Sequence, residues 1–230
     1  MTILLTGFEP FDGAATNASW QAASALRDSW DRDETLVAAR LPCTFAGAWP
    51  VLHAALEEHR PRVVVAVGLA GGTSAVRLER VAINVVDARI PDNAGEAPVD
   101  VPVVEGGPVG YLTTLPLKPA LVAVREAGVP VEVSSTAGTY VCNATFYDLM
   151  RWADGRDGVR AGFVHVPEVS ATGAPGSQGP DGASLPLAAV VEGLRVVVET
   201  ALADLDAEPA RGDGRPAHVA PLAVSGGTEH

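Results

Sequence analysis

Short runs of β-branched and aliphatic residues recur along the chain, separated by segments in which apolar positions return every three or four residues. The runs are TILLT from Thr2 to Thr6, TLVAARL from Thr35, RVVVAVGLA from Arg62, VPVEVSST from Val129 and AGFVHVP from Ala161. Apolar residues on both faces of the pleat mark strands covered from both sides, the habit of parallel sheets. The helical segments carry start and stop signals. SWQAASALRDSW follows Asn17, with Asn17 and Ser19 as candidate N-caps, and KPALVAVREAG ends on Gly128. FAGAWPVLHAALEEH carries Pro50, expected to bend its helix or begin it. In the last helix Leu187, Val190, Val191, Leu194, Val197, Val198, Ala201, Leu202 and Leu205 form one apolar stripe. Strands alternating with helices predict right-handed crossovers and an α/β fold, with a largely parallel sheet between two helical layers.

Residues 1–207 read as one α/β domain, since 230 residues with 47% hydrophobic content supply a single ample core better than two small ones. The Gly-, Pro- and Ser-rich stretch from Ala171 to Ser184 is expected to be a mobile loop. Residues 208–230 lack periodicity and are expected to form a flexible tail. A net charge of −12 without a Lys/Arg cluster argues against a nucleic-acid surface, because neutralising phosphates requires clustered cations. No apolar stretch approaches the roughly 20 residues needed to cross a bilayer. The start MTILLTGF lacks the basic region of a signal peptide, and two cysteines do not make a disulfide framework. The expectation is a cytoplasmic protein with reduced thiols, bound to neither membrane nor nucleic acid. The five histidines show no metal-ligand spacing, so neither a metal nor a cofactor is expected.

Several places carry candidate chemistry. Cys142 precedes NATFYDLM, where Ala144, Phe146, Leu149 and Met150 form an inward stripe, so its thiol falls near a helix N-terminus. Unpaired N–H groups there favour a thiolate and can hold an oxyanion, although a small buried hydrophobe is the ordinary role of a free cysteine. Cys43 has no helical start as clear and reads as structural. His165, at the end of an apolar strand, is placed either for proton transfer or as a core histidine bonded to backbone. Glu79 sits between Arg77 and Arg80, where a salt bridge is the default, yet a carboxylate could instead fix the tautomer of a catalytic imidazole. Phe8 and Phe11, in a Gly- and Pro-containing turn after the first strand, either line a flat apolar pocket with Asn17 as its neutral hydrogen-bonding group or fold back on the sheet. VGLAGGTSAV lacks a phosphate-loop ending and suits a close backbone approach better. Three classes therefore stand: a thiol hydrolase, a binding module in which Cys142 is merely packed, and a phosphate-handling protein.

TGFEPF, ERVAIN with DARIPDNAG after it, STAGTYVCN and GFVHVP, in that order, resemble the pyroglutamyl peptidase I family of cysteine peptidases from Thr2 to Leu205. The resemblance implies a three-layer α/β/α fold of the phosphorylase/hydrolase-like type with a twisted, mostly parallel sheet, often assembled as a homotetramer. It implies an exopeptidase that removes N-terminal pyroglutamyl residues from peptides through a thioester and needs no cofactor. By matched position Cys142 is the nucleophile, His165 the general acid/base and Glu79 the third member. Phe8 and Phe11 match aromatics that sandwich the ring, and Asn17 matches a position beside it. The chain departs from the family where Ala18 stands for a frequent Pro, Asp12 for a frequent Gly and Thr73 for a frequent Arg, and where Leu69 occupies a position that is Gln in some members.

Overall fold

The computed structural model describes residues 1–170 and 184–207, so the tail from 208 and the loop expected from Ala171, apart from Ser184, lie outside the described residues. The first half contains β1 (Thr2–Phe8), α1 (Ala18–Asp28), β2 (Thr35–Leu41), α2 (Phe45–His59), β3 (Val63–Leu69), β4 (Val76–Glu79), β5 (Val81–Ile83) and β6 (Gly110–Leu112). The second contains α3 (Leu117–Glu126), β7 (Val131–Ser134), α4 (Val141–Ala153), β8 (Arg160–Val166), β9 (Glu168–Ser170), β10 (Ser184–Pro186) and α5 (Leu187–Ala207).

Six strands form the central sheet in the order β2-β1-β3-β8-β4-β7. The four from β2 to β8 are mutually parallel. β4 is antiparallel to β8, and β7 runs parallel to β4. The run from Val129 is therefore a strand as expected, but it points against the first four. β4 itself, only Val76–Glu79, is too short to stand out by periodicity. Smaller two-stranded sheets pair β5 with β6 and β9 with β10.

Alternation along the central strands divides the interior into two cores. Val65, Val67, Leu78, Val164 and Val166 face one side, where α1, α3 and α5 cover them. Val64, Ala66 and Phe163 face the other, under α2 and α4. Successive side chains on a strand point to opposite faces, so this division is a direct reading of the pleat. Every residue of β8 is buried, as expected for a central strand.

Local signals act as expected at most helix ends. The Asn17 side chain accepts a hydrogen bond from the Ser19 N–H at the start of α1, and Gly128 takes φ +78 just after α3. Pro50 neither begins α2 nor ends it: Thr44 caps the helix and Pro50 lies inside, on the exposed side, where the missing hydrogen bond faces solvent. The stripe of α5 is buried at Val190, Leu194, Val197, Val198, Ala201, Leu202 and Leu205. Arg160 at the start of β8 ties to Asp204 of α5 at 2.5 Å. None of the described helices is long and apolar enough to cross a membrane.

Leu194 is fully buried between α5 and the sheet, on the face away from His165. Leu194→Ala is expected to lower unfolding free energy by about 2–5 kcal/mol in urea titrations. Its Cys142 should still react with thiol reagents like wild type under native conditions.

Candidate active site

The antiparallel strand β4 brings three chemical groups onto one face of the sheet. Arg77 lies opposite His165 in the β4–β8 register, and Glu79, two residues on, shares that face. Glu79 is fully buried, and its Oε1 lies 2.8 Å from His165 Nδ1. With Nδ1–H donating to the carboxylate, Nε2 is left as the basic nitrogen of the neutral ring. Arg77, the neighbour that made a salt bridge the default for Glu79, pairs instead with Glu132 at 2.6 Å. Among the described residues Glu79 Oε2 has no hydrogen-bond partner.

Cys142 is the second residue of α4, as the stripe Ala144, Phe146, Leu149 and Met150 required, and all four of those residues are buried. Its sulfur lies against β3. A Cβ added to Gly68 would fall 2.9 Å from Cys142 Sγ and 2.8 Å from the Phe163 ring. Gly68 is the register partner of His165 in the parallel β3–β8 pair, so the sulfur sits over the strand position beside the imidazole. The close approach sought in the glycine-rich stretch is thus at Gly68, on the strand before the turn. Burial pushes the Cys142 thiol well above the ordinary cysteine range, and Cys43 and Glu79 push it further. The helix terminus works in the opposite direction, and the raised thiol is expected to rest protonated near neutral pH. Cys43, two residues before α2, is raised to about 12 by burial, then by Glu9 and Asp92.

The two phenylalanines of the first loop separate. Phe8 ends β1, is 2% exposed and lies 6.5 Å from Phe163 between ring centroids, so it belongs to the core. Phe11 is half-buried and stacks toward Tyr140 at 5.5 Å, with Phe45 at 5.2 Å on the same tyrosine. The turn after Phe11 puts Asp12 at φ +52 and Gly13 at φ +73, a conformation that Asp tolerates better than most residues. Asn17 uses its Oδ1 on Ser19 and donates from Nδ2 to the Glu9 carbonyl, while Ser19 Oγ accepts from the Phe8 N–H. Its visible work is to fix the loop that carries both rings.

The sequence reasoning assigned nothing to Glu9, Asp92, Asn93 and Tyr140. Glu9 Oε1 accepts from the Cys43 N–H and from Asn93 Nδ2, which also donates to the Pro10 carbonyl. Asp92 accepts from the N–H groups of Phe45, Ala94 and Glu96. Burial alone would raise the Asp92 carboxyl, but these backbone donors outweigh it and hold it below the usual range. The Tyr140 hydroxyl donates to the Pro91 carbonyl. Three loops are thereby bolted together around Phe11, Phe45 and Tyr140. The sequence signal was that Glu9, Asp92 and Asn93, and Tyr140, fall inside TGFEPF, DARIPDNAG and STAGTYVCN. Among the described residues no group of three or more His, Cys, Asp or Glu is placed to hold a metal ion.

A thiol at a helix start, set over a sheet beside an imidazole that a buried carboxylate orients, is the set of groups that thiol-dependent hydrolysis requires. Comparison with known proteins narrows the class. The model of the pyroglutamyl peptidase family matches residues 1–204. A pyrrolidone-carboxylate peptidase of Clavibacter michiganensis is 56% identical over 166 residues, 72% of this chain and 78% of that relative. One from Klebsiella pneumoniae is 46% identical over 87% of this chain and 92% of its own length. The crystal structure of pyroglutamyl peptidase I from Bacillus amyloliquefaciens superposes with a TM-score of 0.81 at 37% identity, covering 88% of this chain and 97% of that one. The chain belongs to the pyroglutamyl peptidase family.

The placement of the sulfur is open to a direct test. Gly68→Ala should cost about 1–3 kcal/mol in urea unfolding, since the added methyl collides with both Cys142 and Phe163. Removing the sulfur as well, in Gly68→Ala/Cys142→Ala, should return part of that loss. Additivity within about 0.3–0.5 kcal/mol would place the sulfur away from Gly68.

Proposed function

We propose that this protein is a cysteine exopeptidase that removes N-terminal pyroglutamyl residues from peptides, with Cys142, His165 and Glu79 as its catalytic groups. Membership of the pyroglutamyl peptidase family supports the reaction. The 2.8 Å bond between Glu79 and His165, beside the sulfur at the start of α4, supports the roles.

The chemistry runs as follows. His165 Nε2 takes the proton from Cys142 Sγ as the sulfur attacks the carbonyl that joins the cyclic residue to the next one. The S–C bond forms, and the oxyanion is held by N–H groups at the start of α4, a helix without a side-chain cap. His165 then gives the proton to the departing amine as the C–N bond breaks. Water hydrolyses the thioester, releasing free pyroglutamate and restoring the thiol. Glu79 keeps the imidazole in the required tautomer and stabilises its charged form.

Phe11 offers a half-buried ring to the flat lactam, Phe8 backs it from the core, and Asn17 fixes the loop between them beside the substrate. An unmodified N-terminus would carry a charged amine into an apolar site without a partner, which is costly, whereas the lactam is neutral. The protein is further proposed to act in the cytoplasm and to assemble as a homotetramer.

Hydrolysis of a fluorogenic L-pyroglutamyl amide under reducing conditions tests the assignment. Cys142→Ser is expected to abolish turnover, and Cys43→Ser to retain it. His165→Ala should lose roughly 10²–10⁴-fold in kcat. A folded wild type that leaves the amide intact would overturn the proposal. The protonated resting thiol makes a separate prediction: alkylation of Cys142 by iodoacetamide should climb about tenfold per pH unit through neutral and mildly alkaline pH. A plateau already reached at neutral pH would instead mean a preformed thiolate.

A further inference from the structure

The helix that carries Cys142 begins without a side-chain cap, as α3 also does. Its N-cap, Tyr140, makes no side-chain hydrogen bond to the first turn. The first N–H groups of a helix have no partner within it, and a Ser, Thr, Asp or Asn cap ordinarily takes one of them. At α1 and α2 this chain uses such caps, Asn17 and Thr44. A cap on α4 would consume the N–H groups that the proposed oxyanion needs, and its absence leaves the helix start without its usual anchor. Something else must hold it.

The side chain of Asn143, next to Cys142 and 1% exposed, makes three hydrogen bonds to one backbone segment. Its Oδ1 accepts from the Ile83 N–H at 3.0 Å, and its Nδ2 donates to the carbonyls of Ile83 and Val85, both at 2.9 Å. β5 pairs with β6 through Val81, Ala82 and Ile83, and Asn143 serves as a partner at the end of that strand. The bonded residues lie only four and six positions after Glu79. The amide therefore ties the helix start that bears the sulfur to the chain segment that bears the carboxylate.

We propose that Asn143 is a positioning residue for the reaction: it replaces the missing cap from the side, fixing Cys142 against Glu79 and His165 while leaving the first N–H groups of α4 free. This rests on the assignment of Cys142 as the nucleophile. Substitution should act on the chemical step rather than on substrate capture, because the rings of Phe11, Phe45 and Tyr140 are held by other bonds.

Asn143→Asp and Asn143→Ser test it, the first keeping size but losing both N–H donors. Each is expected to lower kcat on the pyroglutamyl amide by about 10- to 100-fold, the scale for misplacing a reacting group by an ångström or less. KM should stay within about threefold. Iodoacetamide modification of Cys142 at neutral pH should slow at least about fivefold, with Cys43 unchanged. Leu205→Ala, distant on α5, should lose thermal stability with kcat and alkylation intact, which separates positioning from general destabilisation. Folded Asn143 variants with wild-type kcat and alkylation would overturn the proposal. If neither variant folds, hydrogen exchange of wild type decides: the Ile83 amide should exchange as slowly as core strand amides, and rapid exchange would overturn it. Should wild type fail to cleave the amide, the peptidase assignment falls, and the alkylation rates still decide the role of Asn143.

Discussion

A fully buried carboxylate is the constraint around which the rest of this structure is arranged. Glu79 has no exposed surface, and an ionised group removed from water is tolerable only with a partner at hydrogen-bonding distance. That partner is His165, near the C-terminal end of the central strand β8. For the two to meet, β4 must lie directly beside β8, and the short strand does so in reverse. β7 then takes its direction from β4, which is why an otherwise parallel sheet ends in two opposed strands. The chain leaving Glu79 passes under α4, where Asn143 grips it.

The same geometry decides which core faces the site. Gly68, Phe163 and His165 lie on the side covered by α2 and α4, so the sulfur on α4 comes down over Gly68, the register partner of His165, rather than onto the far layer. Gly68 makes this possible by having no side chain, since any Cβ there would collide with the sulfur. The aromatic rim is organised separately, by the bonds of Glu9, Asp92, Asn93 and Tyr140. Rigid loops round a small apolar site reduce the ordering that a flat, neutral ligand would otherwise have to bring about. Burial also raises the Cys142 thiol above its ordinary range, so the proposed attack calls for a base, the role proposed for His165.

Much of the fold was legible in the chain because it rests on local, periodic signals. The strands from Thr2, Thr35, Arg62, Val129 and Ala161 show as β-branched runs, and the stripe on α5 repeats over five turns or more. Cys142 could be placed at a helix start because the stripe after it and the β-branched run before it are both local. Pro50 was ambiguous, since a proline in a helix interior is decided by whether the orphaned carbonyl meets water, a property of the folded surface.

What the sequence by itself determined is five strands of the central sheet, the helices between them, the apolar stripes of α4 and α5, and the residue types able to do thiol chemistry. Those follow from periodicity and side-chain chemistry, which neighbours in the chain are enough to define. Only the tertiary structure decided that β4 is reversed, that Glu79 turns to His165 rather than to Arg77, that Phe8 goes to the core while Phe11 stays at the rim, and that Asn143 reaches back 60 residues to Ile83. Each of these depends on contacts between residues far apart in the chain. The pairing of a buried charge and the filling of a sheet face are settled by what else arrives there, and no local pattern carries that information.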